Sequence, residues 1–122
     1  MIEYTPYSPI RHIFVARGDN SAARGLYEAS IQAHRKAGYK IETEDACVDQ
    51  KMTHIIWDNG DEELIYVYGI SPIDKLAPAQ IKEYEHNIFF DSDLPKGAER
   101  AVIKALGLED YMIQIGICKG GK

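Results

Sequence analysis

The sequence predicts an α+β fold in which a mixed or antiparallel sheet of about five strands packs against three helices, in the order β-α-β-β-β-α-α-β. Three features carry this prediction. A strand, a tight turn and a helix follow one another within residues 11–39, two apolar strands flank Asn59-Gly60, and an apolar run covers residues 111–118. The 122 residues are predicted to form a single domain, long enough to bury a core without disulfides or metals.

The strand–turn–helix unit of residues 11–39 is the part around which we expect the rest to be arranged. Ile13-Phe14-Val15 is a β-branched and aromatic run typical of a strand. Gly18-Asp19-Asn20-Ser21 supplies turn-forming residues, and the apolar residues that follow recur at helical spacing. Asn20 or Ser21 is expected to cap this helix, and Gly38 to end it at the C′ position.

The beginning of this helix is a candidate anion site. Its first backbone N–H groups have no helical partner and carry partial positive charge, so they can hold a phosphate. Arg17 and Arg24 would flank that position, and Gly25 inside the helix indicates a close approach to the backbone. The simpler interpretation is that Asn20 and Ser21 only cap the helix, because most helices begin with such a cap.

Residues 53–57 and 63–70 are predicted to form a β-hairpin. Asn59-Gly60 is the strongest short signal for a two-residue type I′ turn, and that loop would pair Ile55 with Leu64. Both faces of such a hairpin are apolar, so both need a cover. We expect a second copy of the chain to supply one of the covers, with the contact at Tyr4, Tyr7, Tyr66 or Tyr68.

The remaining stretches supply two strands and two helices. Residues 40–48 are predicted to be a strand, Pro78 to begin a helix, Asp93 to cap the last helix and residues 111–118 to form a buried final strand. Gly107 is expected to end the last helix. The apolar positions of the two helices are Ile81, Tyr84 and Ile88, then Ala98, Ala101, Val102, Ala105 and Leu106.

Composition and motifs exclude several classes of protein. The net charge of −5, without a basic cluster, argues against duplex nucleic acid as a partner. No apolar run approaches 18 residues and no signal-peptide pattern is present, so we expect a cytoplasmic protein that does not contact the membrane. Cys47 and Cys118 lack metal-type spacing, the four histidines are isolated and no catalytic motif occurs. We therefore predict no catalytic residues, no metal and no cofactor.

Tyrosine is unusually abundant, with eight residues against three phenylalanines. This surplus suits a surface that is buried but polar, such as a subunit interface or a stacking site for a nucleotide base. Tyr39, Phe89 and Phe90 are the stacking candidates, because each is predicted to lie at the end of an element. The alternative for Phe89 and Phe90 is that they close the core.

The strand–helix unit with the sequence RGDNSAARGLYEA, at residues 17–29, precedes a small tyrosine-rich α+β body. In this respect the chain resembles the Thoeris anti-defence family of phage nucleotide sponges. That resemblance implies an oligomer that sequesters a cyclic ADP-ribose type of signal without cleaving it. It does not supply binding residues position by position.

The hypothesis from the sequence is a non-catalytic, oligomeric protein that binds a small phosphate-bearing nucleotide as a phage counter-defence. One alternative is a small phage enzyme acting on a nucleotide-like substrate, such as S-adenosylmethionine, at a subunit interface. Another alternative is an inhibitor that binds a protein. The predicted ligand-binding residues are Arg17, Asn20, Ser21, Arg24, Tyr39, Phe89 and Phe90.

Overall fold

The described part of the chain forms one mixed sheet of six strands. The computed structural model describes residues 10–18, 20–47, 51–76, 85–111 and 113–119. The described elements are β1 (Ile10–Ala16), α1 (Ala22–Lys36), β2 (Ile41–Cys47), β3 (Met52–Trp57), β4 (Glu62–Val67), a 3₁₀ turn (Ile73–Lys75), β5 (Glu85–Asp91), α2 (Ala98–Ala105) and β6 (Gln114–Cys118). The strand order in the sheet is β2-β3-β4-β1-β5-β6. The α+β class is therefore confirmed, and the described residues contain one strand more and one helix fewer than predicted.

The sheet has a parallel half and an antiparallel half. β1 pairs in parallel with β4 and β5, and β5 pairs in parallel with β6. β2, β3 and β4 form an antiparallel meander. The carboxyl ends of β1, β4, β5 and β6 therefore lie at the same edge of the sheet, which we call the carboxyl edge, and their amino ends lie at the opposite amino edge.

Each face of the sheet is covered by the chain itself. On the α1 face, Phe14, Tyr27 and Trp57 belong to one buried cluster with Ile65 and Val67 of β4. On the α2 face, Phe90 and Val102 belong to a second cluster, which also includes residues of the hairpin and of the segment after it. The hairpin therefore needs no second copy to cover either face. Tyr66 is buried and its hydroxyl donates to the Ser71 carbonyl, while Tyr4 and Tyr7 lie outside the described residues.

Glycines end both α-helices, as the sequence predicts. After α1, the Gly38 N–H donates to the Arg35 carbonyl and the Tyr39 N–H to the His34 carbonyl, with Gly38 at a φ of 96°. These two bonds and the left-handed glycine form a Schellman motif. Gly107 ends α2 in the same way. Asp93 was predicted to cap the last helix, and this prediction is wrong, because Gly97 occupies the N-cap position of α2.

The hairpin is present, but its register differs from the prediction by one residue. Trp57 donates its N–H to the Asp61 carbonyl, so the loop has three residues, and Ile55 pairs with Glu63 rather than Leu64. A type I turn followed by a left-handed glycine gives this kind of loop, and Gly60 has a φ of 96°. Because side chains alternate along a strand, the slip places every β4 side chain on the opposite face from the one predicted.

A helix was predicted to run from Pro78 through Ile88, and this prediction is wrong for the residues from Glu85 onward, which form β5. Pro78, Ile81 and Tyr84 lie outside the described residues, but Ile88 belongs to β5, where alternate residues His86, Ile88 and Phe90 are buried. Phe89 and Phe90 therefore lie in a strand. The final strand is also misplaced by the prediction, because β6 is at the edge of the sheet rather than in a buried position.

Candidate functional site

At the carboxyl edge the connections of the neighbouring strands β1 and β5 leave in opposite directions, and we call the place between these two strand ends the crevice. After β1 the chain crosses to α1 on one face, whereas after β5 it continues to α2 on the other face. In sheets with parallel strands, ligands bind outside the carboxyl ends of the strands at such a reversal of direction. The topology therefore marks this crevice as the first place to look for a ligand.

A cavity of about 780 Å³ opens beside this crevice, between the loop that follows β5 and the first turns of α2. This volume lies within the range of about 300–1,000 Å³ that is usual for small-molecule sites. The charged side chains of its lining are mixed in sign. They are Lys96 and Arg100 on the one hand and Asp91, Glu99 and Glu109 on the other.

The buried carboxylate of Asp91 occupies the anion position at the beginning of α1. It accepts hydrogen bonds from the backbone N–H of Arg17 and from that of Ala23, both at 2.8 Å. The predicted phosphate position at the first turn is therefore filled by the protein's own side chain. Asp91 also replaces the expected cap, because the Ser21 side chain makes no capping bond although Ser21 is the N-cap residue.

Three of the predicted ligand-binding residues, Arg17, Asn20 and Ser21, lie together at the carboxyl edge. The Ser21 hydroxyl is buried and has no hydrogen-bond partner in the part of the chain that the structure describes. Asn20, next to it, is exposed. The Arg17 side chain reaches across the crevice to Asp93 in the loop after β5, with Nε 2.7 Å from Oδ2, and both side chains are more than half exposed. An exposed pair of this kind contributes little stability and can exchange for a ligand.

Arg24 faces a different part of the surface. Its guanidinium lies 5.6 Å from the ring centre of Tyr27 and its Nε lies 3.4 Å from Glu28. It lines a second cavity, of about 480 Å³, between α1 and the strands β2 and β3. The two arginines predicted to share one phosphate therefore lie in different places, since Arg24 lines this second cavity and Arg17 pairs with Asp93 in the loop after β5.

The three aromatic candidates do not meet at the crevice. Tyr39 follows the opposite end of α1, a helix of 15 residues and thus about 22 Å long. The Phe90 side chain is 0% exposed and belongs to the core on the α2 face. Phe89 lies on the other face and stacks on Phe14 with ring centres 5.2 Å apart. The core alternative thus describes Phe90, and a single small ligand cannot contact all seven predicted residues in one chain.

A polar network at the amino edge of the α1 face was missed by the sequence analysis. His34 Nε2 lies 2.8 Å from Asp61 Oδ2, and His34 Nδ1 lies 2.8 Å from the Ser30 carbonyl and 3.4 Å from Glu63 Oε2. The Ser30 hydroxyl donates to Glu63, whose carboxylate is fully buried with Oε1 unpaired among the described residues. The available signal was that Ser30 and His34 lie on the apolar stripe of α1.

The network sets the charge of His34. Burial lowers the pKa of the imidazole, but its bonds to the Ser30 carbonyl and to Asp61, together with the charges of Glu63 and Asp61, outweigh that effect and raise the pKa overall. Because both ring nitrogens face acceptors, the protonated ring satisfies both of them. The ring also stacks on Trp57, with centres 4.7 Å apart.

A second network lies directly behind the first, on the α2 face. Arg11 donates through Nε and Nη2 to the two oxygens of Glu62, at 2.9 and 2.6 Å, and His54 Nε2 lies 3.0 Å from Glu62 Oε1. Burial raises the pKa of Glu62, but the bonds to His54 and Arg11 and their charges outweigh it and bring the pKa to about 2. Nearby His86 has its pKa lowered by burial and then by Arg11.

These networks have the chemistry of structural supports. The Ser30 hydroxyl is bonded to a carboxylate rather than to an imidazole, so no serine–histidine nucleophile pair is formed. Within the described ranges, no group of three or more His, Cys, Asp and Glu side chains has a geometry that could hold a metal ion. None of the described helices is both long enough and apolar enough to cross a bilayer.

Comparison with protein families, curated proteins and solved structures finds one weak structural similarity. No protein-family model matches the sequence, and no curated protein is significantly similar to it. Among solved structures, the chain is similar to the large terminase of a thermophilic bacteriophage in complex with ADP, at 13% identity and a TM-score of 0.45. The match covers 92% of this chain and 26% of the terminase chain, so the chain spans about a quarter of that protein. A similarity this weak assigns neither a family nor a function.

Proposed function

We propose that the chain binds a small phosphate-bearing ligand of the nucleotide class in the crevice at the carboxyl edge, and that it releases the ligand unchanged. The observation that carries the proposal is the 780 Å³ cavity at the carboxyl end of β5, the strand that lies next to β1 where the connections of the two strands leave for opposite faces. In biological terms, the proposal is sequestration of a nucleotide signal, such as one of the cyclic ADP-ribose type, as a counter-defence.

Three cationic side chains around the crevice support an anionic ligand, although the cavity lining also carries three carboxylates, those of Asp91, Glu99 and Glu109. Arg17, Lys96 and Arg100 supply cationic side chains from both sides, and the Ser21 hydroxyl is a buried donor without a described partner. The Asp91 carboxylate accepts from the Ala23 N–H in the first turn of α1 and from the Arg17 N–H before it. The phosphate is therefore expected to bind to side chains rather than to the helix terminus. Guanidinium–phosphate bonds contribute on the order of 1.5–3 kcal/mol each.

The distribution of histidines supports binding without turnover. All four contribute to or adjoin the two networks near the amino ends of β1, β4 and β5, at the far end of the strands from the crevice. No imidazole lines the cavity at the carboxyl edge among the described residues. Histidine is therefore not available as a general base in the described lining, and the titratable acceptors there are the carboxylates of Asp91, Glu99 and Glu109.

The proposal is tested with defined probes. Cyclic ADP-ribose, ADP-ribose, AMP and the phosphate-free adenosine are titrated into the protein by calorimetry, and the heat-denatured complex is then analysed chromatographically. Binding of a phosphate-bearing probe that is recovered intact supports the proposal, and EDTA should not alter it. A converted probe would favour the enzyme alternative, whereas no uptake of any probe would leave the protein-binding alternative.

Three arginine variants locate the site. Arg17→Ala and Arg100→Ala should each weaken binding by about tenfold or more, because each removes a charge-assisted bond to phosphate. Arg24→Ala is the matched control, since it removes the same group from the cavity between α1 and β2–β3. Loss of affinity in Arg24→Ala alone would place the ligand in that second cavity instead.

A further inference from the structure

The two edges of the sheet differ in charge. β2, at one edge, carries three exposed acidic side chains, Glu42, Glu44 and Asp45. β6, at the other edge, has the sequence QIGIC and contains no charged residue. Charged side chains on an edge strand prevent pairing with other chains, and an uncharged edge lacks that protection. Of the two edge strands, β6 is the one whose side-chain charges do not oppose pairing with another strand.

Two of the six exposed large apolar side chains of the described residues lie on this strand. Ile115 and Ile117 are 48% and 49% exposed. Their register partners in β5 are Ile88 and Phe90, both in the core on the α2 face, so the two isoleucines extend the apolar surface of that face to the edge of the sheet. Gly116 between them packs directly on Phe89, where an added Cβ would lie 2.8 Å from the ring.

We propose that β6 is a homodimer interface, in which the β6 strands of two copies pair in antiparallel fashion about Gly116 and join the two sheets into one. A two-fold axis at Gly116 places Ile115 opposite Ile117 of the partner subunit, and the same contact is repeated by symmetry. The four isoleucines then form one apolar cluster on a common face, since opposite residues of an antiparallel pair point to the same side. This inference does not depend on the ligand proposed above.

A second copy fits this edge by its charge. A strand without charges offers nothing to attract an acidic or basic partner, whereas it is complementary to itself in hydrogen bonding and in apolar surface. Each copy has a net charge of −5, so two copies approach best where neither presents a carboxylate. Pairing through β2 would instead bring two acidic strands together. With five residues in the strand, the interface is small, and we expect micromolar dissociation.

The test is the oligomeric state of the full chain and of three variants. Sedimentation velocity and light scattering from about 5 to about 200 µM should show a monomer–dimer equilibrium for the wild type. Ile115→Lys and Ile117→Lys should each weaken association by tenfold or more, because each places two like charges in the pairing surface. The matched control is Ile70→Lys, because Ile70 is 51% exposed but lies in the turn after β4. This variant should associate like the wild type.

Circular dichroism and melting temperatures establish that each variant is folded. If a lysine variant unfolds, Ile117→Thr keeps the β-branched shape and should weaken the dimer to a smaller extent. A wild-type chain that stays monomeric at about 200 µM would overturn the proposal, including the case in which another part of the same chain covers β6. A dimer that persists unchanged in both lysine variants would overturn it as well, since the contact would then lie elsewhere.

Discussion

Asp91 joins three parts of the molecule through one side chain. It ends β5, and its carboxylate holds the backbone after β1 through the Arg17 N–H and the first turn of α1 through the Ala23 N–H. A carboxylate at the beginning of a helix is also favoured by the helix dipole. The side chain is buried, so these bonds are protected from water. Asp91 therefore fixes the geometry of the crevice without being available to bind a ligand itself.

Replacing Asp91 by Ala should destabilise the fold by about 2–4 kcal/mol, because two buried N–H groups lose a charged acceptor. Asp91→Asn keeps one oxygen acceptor and should lose less. Asp93→Ala serves as the control. It removes a carboxylate of the same loop whose pair with Arg17 is exposed, and it should change stability by less than about 1 kcal/mol. Urea denaturation of the three variants provides the measurement, and equal effects at Asp91 and Asp93 would contradict this account.

Glu62 should make the stability of the fold depend on pH in the acidic range. Its pKa is lowered from 4.5 to about 2 in the folded state, so the stabilisation is fully present above about pH 4.5 and is lost as the pH falls through about 2. A shift of this size corresponds to on the order of 3 kcal/mol. The free energy of unfolding of Glu62→Gln, measured against that of the wild type, should differ most above about pH 5 and least near pH 2. A difference that is constant with pH would show that the bonds of Glu62 to His54 and Arg11 do not control this titration.

The hairpin shows what a turn signal can and cannot predict. Asn59-Gly60 located the turn, and both strands were found. The loop length was wrong by one residue, because the same dipeptide also fits a three-residue loop in which Gly60 alone is left-handed. The faces of β4 were therefore assigned to the wrong sides. The buried acidic pair Glu62 and Glu63 was the clue to the register, since each requires a cationic or hydrogen-bonding partner on its own face.

The region around β5 shows the limits of periodicity in a short apolar stretch. Ile81, Tyr84 and Ile88 fit helical spacing, while His86, Ile88 and Phe90 fit the alternation of a strand equally well. The strand is selected by tertiary contacts, because β5 pairs with both β1 and β6. Long-range pairing of this kind leaves no signal in a local window. By contrast, α1 and its glycine stop were predictable, since capping and amphipathic spacing are local properties.

His34 attaches the last turns of α1 to the hairpin, and this attachment should weaken at alkaline pH. Because the folded-state pKa of His34 is raised, the stabilisation is fully present below the unfolded value of about 6.5 and is lost as the pH rises through the folded value. The wild type should therefore lose stability relative to His34→Gln as the pH rises above about 6.5. His12→Gln is the control, since its imidazole lies 4.0 Å from Glu63 rather than in hydrogen-bonding distance. A pH dependence unchanged in His34→Gln would rule out this titration.

For the whole molecule, the sequence located the carboxyl-edge residues Arg17, Asn20 and Ser21 but could not show what surrounds them. The loop after β5, with Lys96, and the first turn of α2, with Arg100, are brought to this edge only because β5 inserts beside β1 in the sheet. The inference of a second copy was based on the hairpin, whereas both hairpin faces are covered within the chain. The edge strand without charged side chains is β6, and its place at the edge could be recognised only once the strand order was known.

The charge of the whole molecule predicts how the proposed dimer responds to salt. Two copies with a net charge of −5 repel each other, and the β6 contact contains no ion pairs that salt could weaken. Raising the ionic strength from about 0.01 to about 0.15 M shortens the Debye length from about 30 to about 8 Å, which screens the repulsion. Dimerisation should therefore become stronger over this range, in contrast to an interface held by salt bridges. Sedimentation velocity at constant pH measures the effect, with Ile117→Lys as the control that should stay largely monomeric throughout. Weaker association at higher salt would mean that charged side chains, rather than the β6 edge, hold the two copies together.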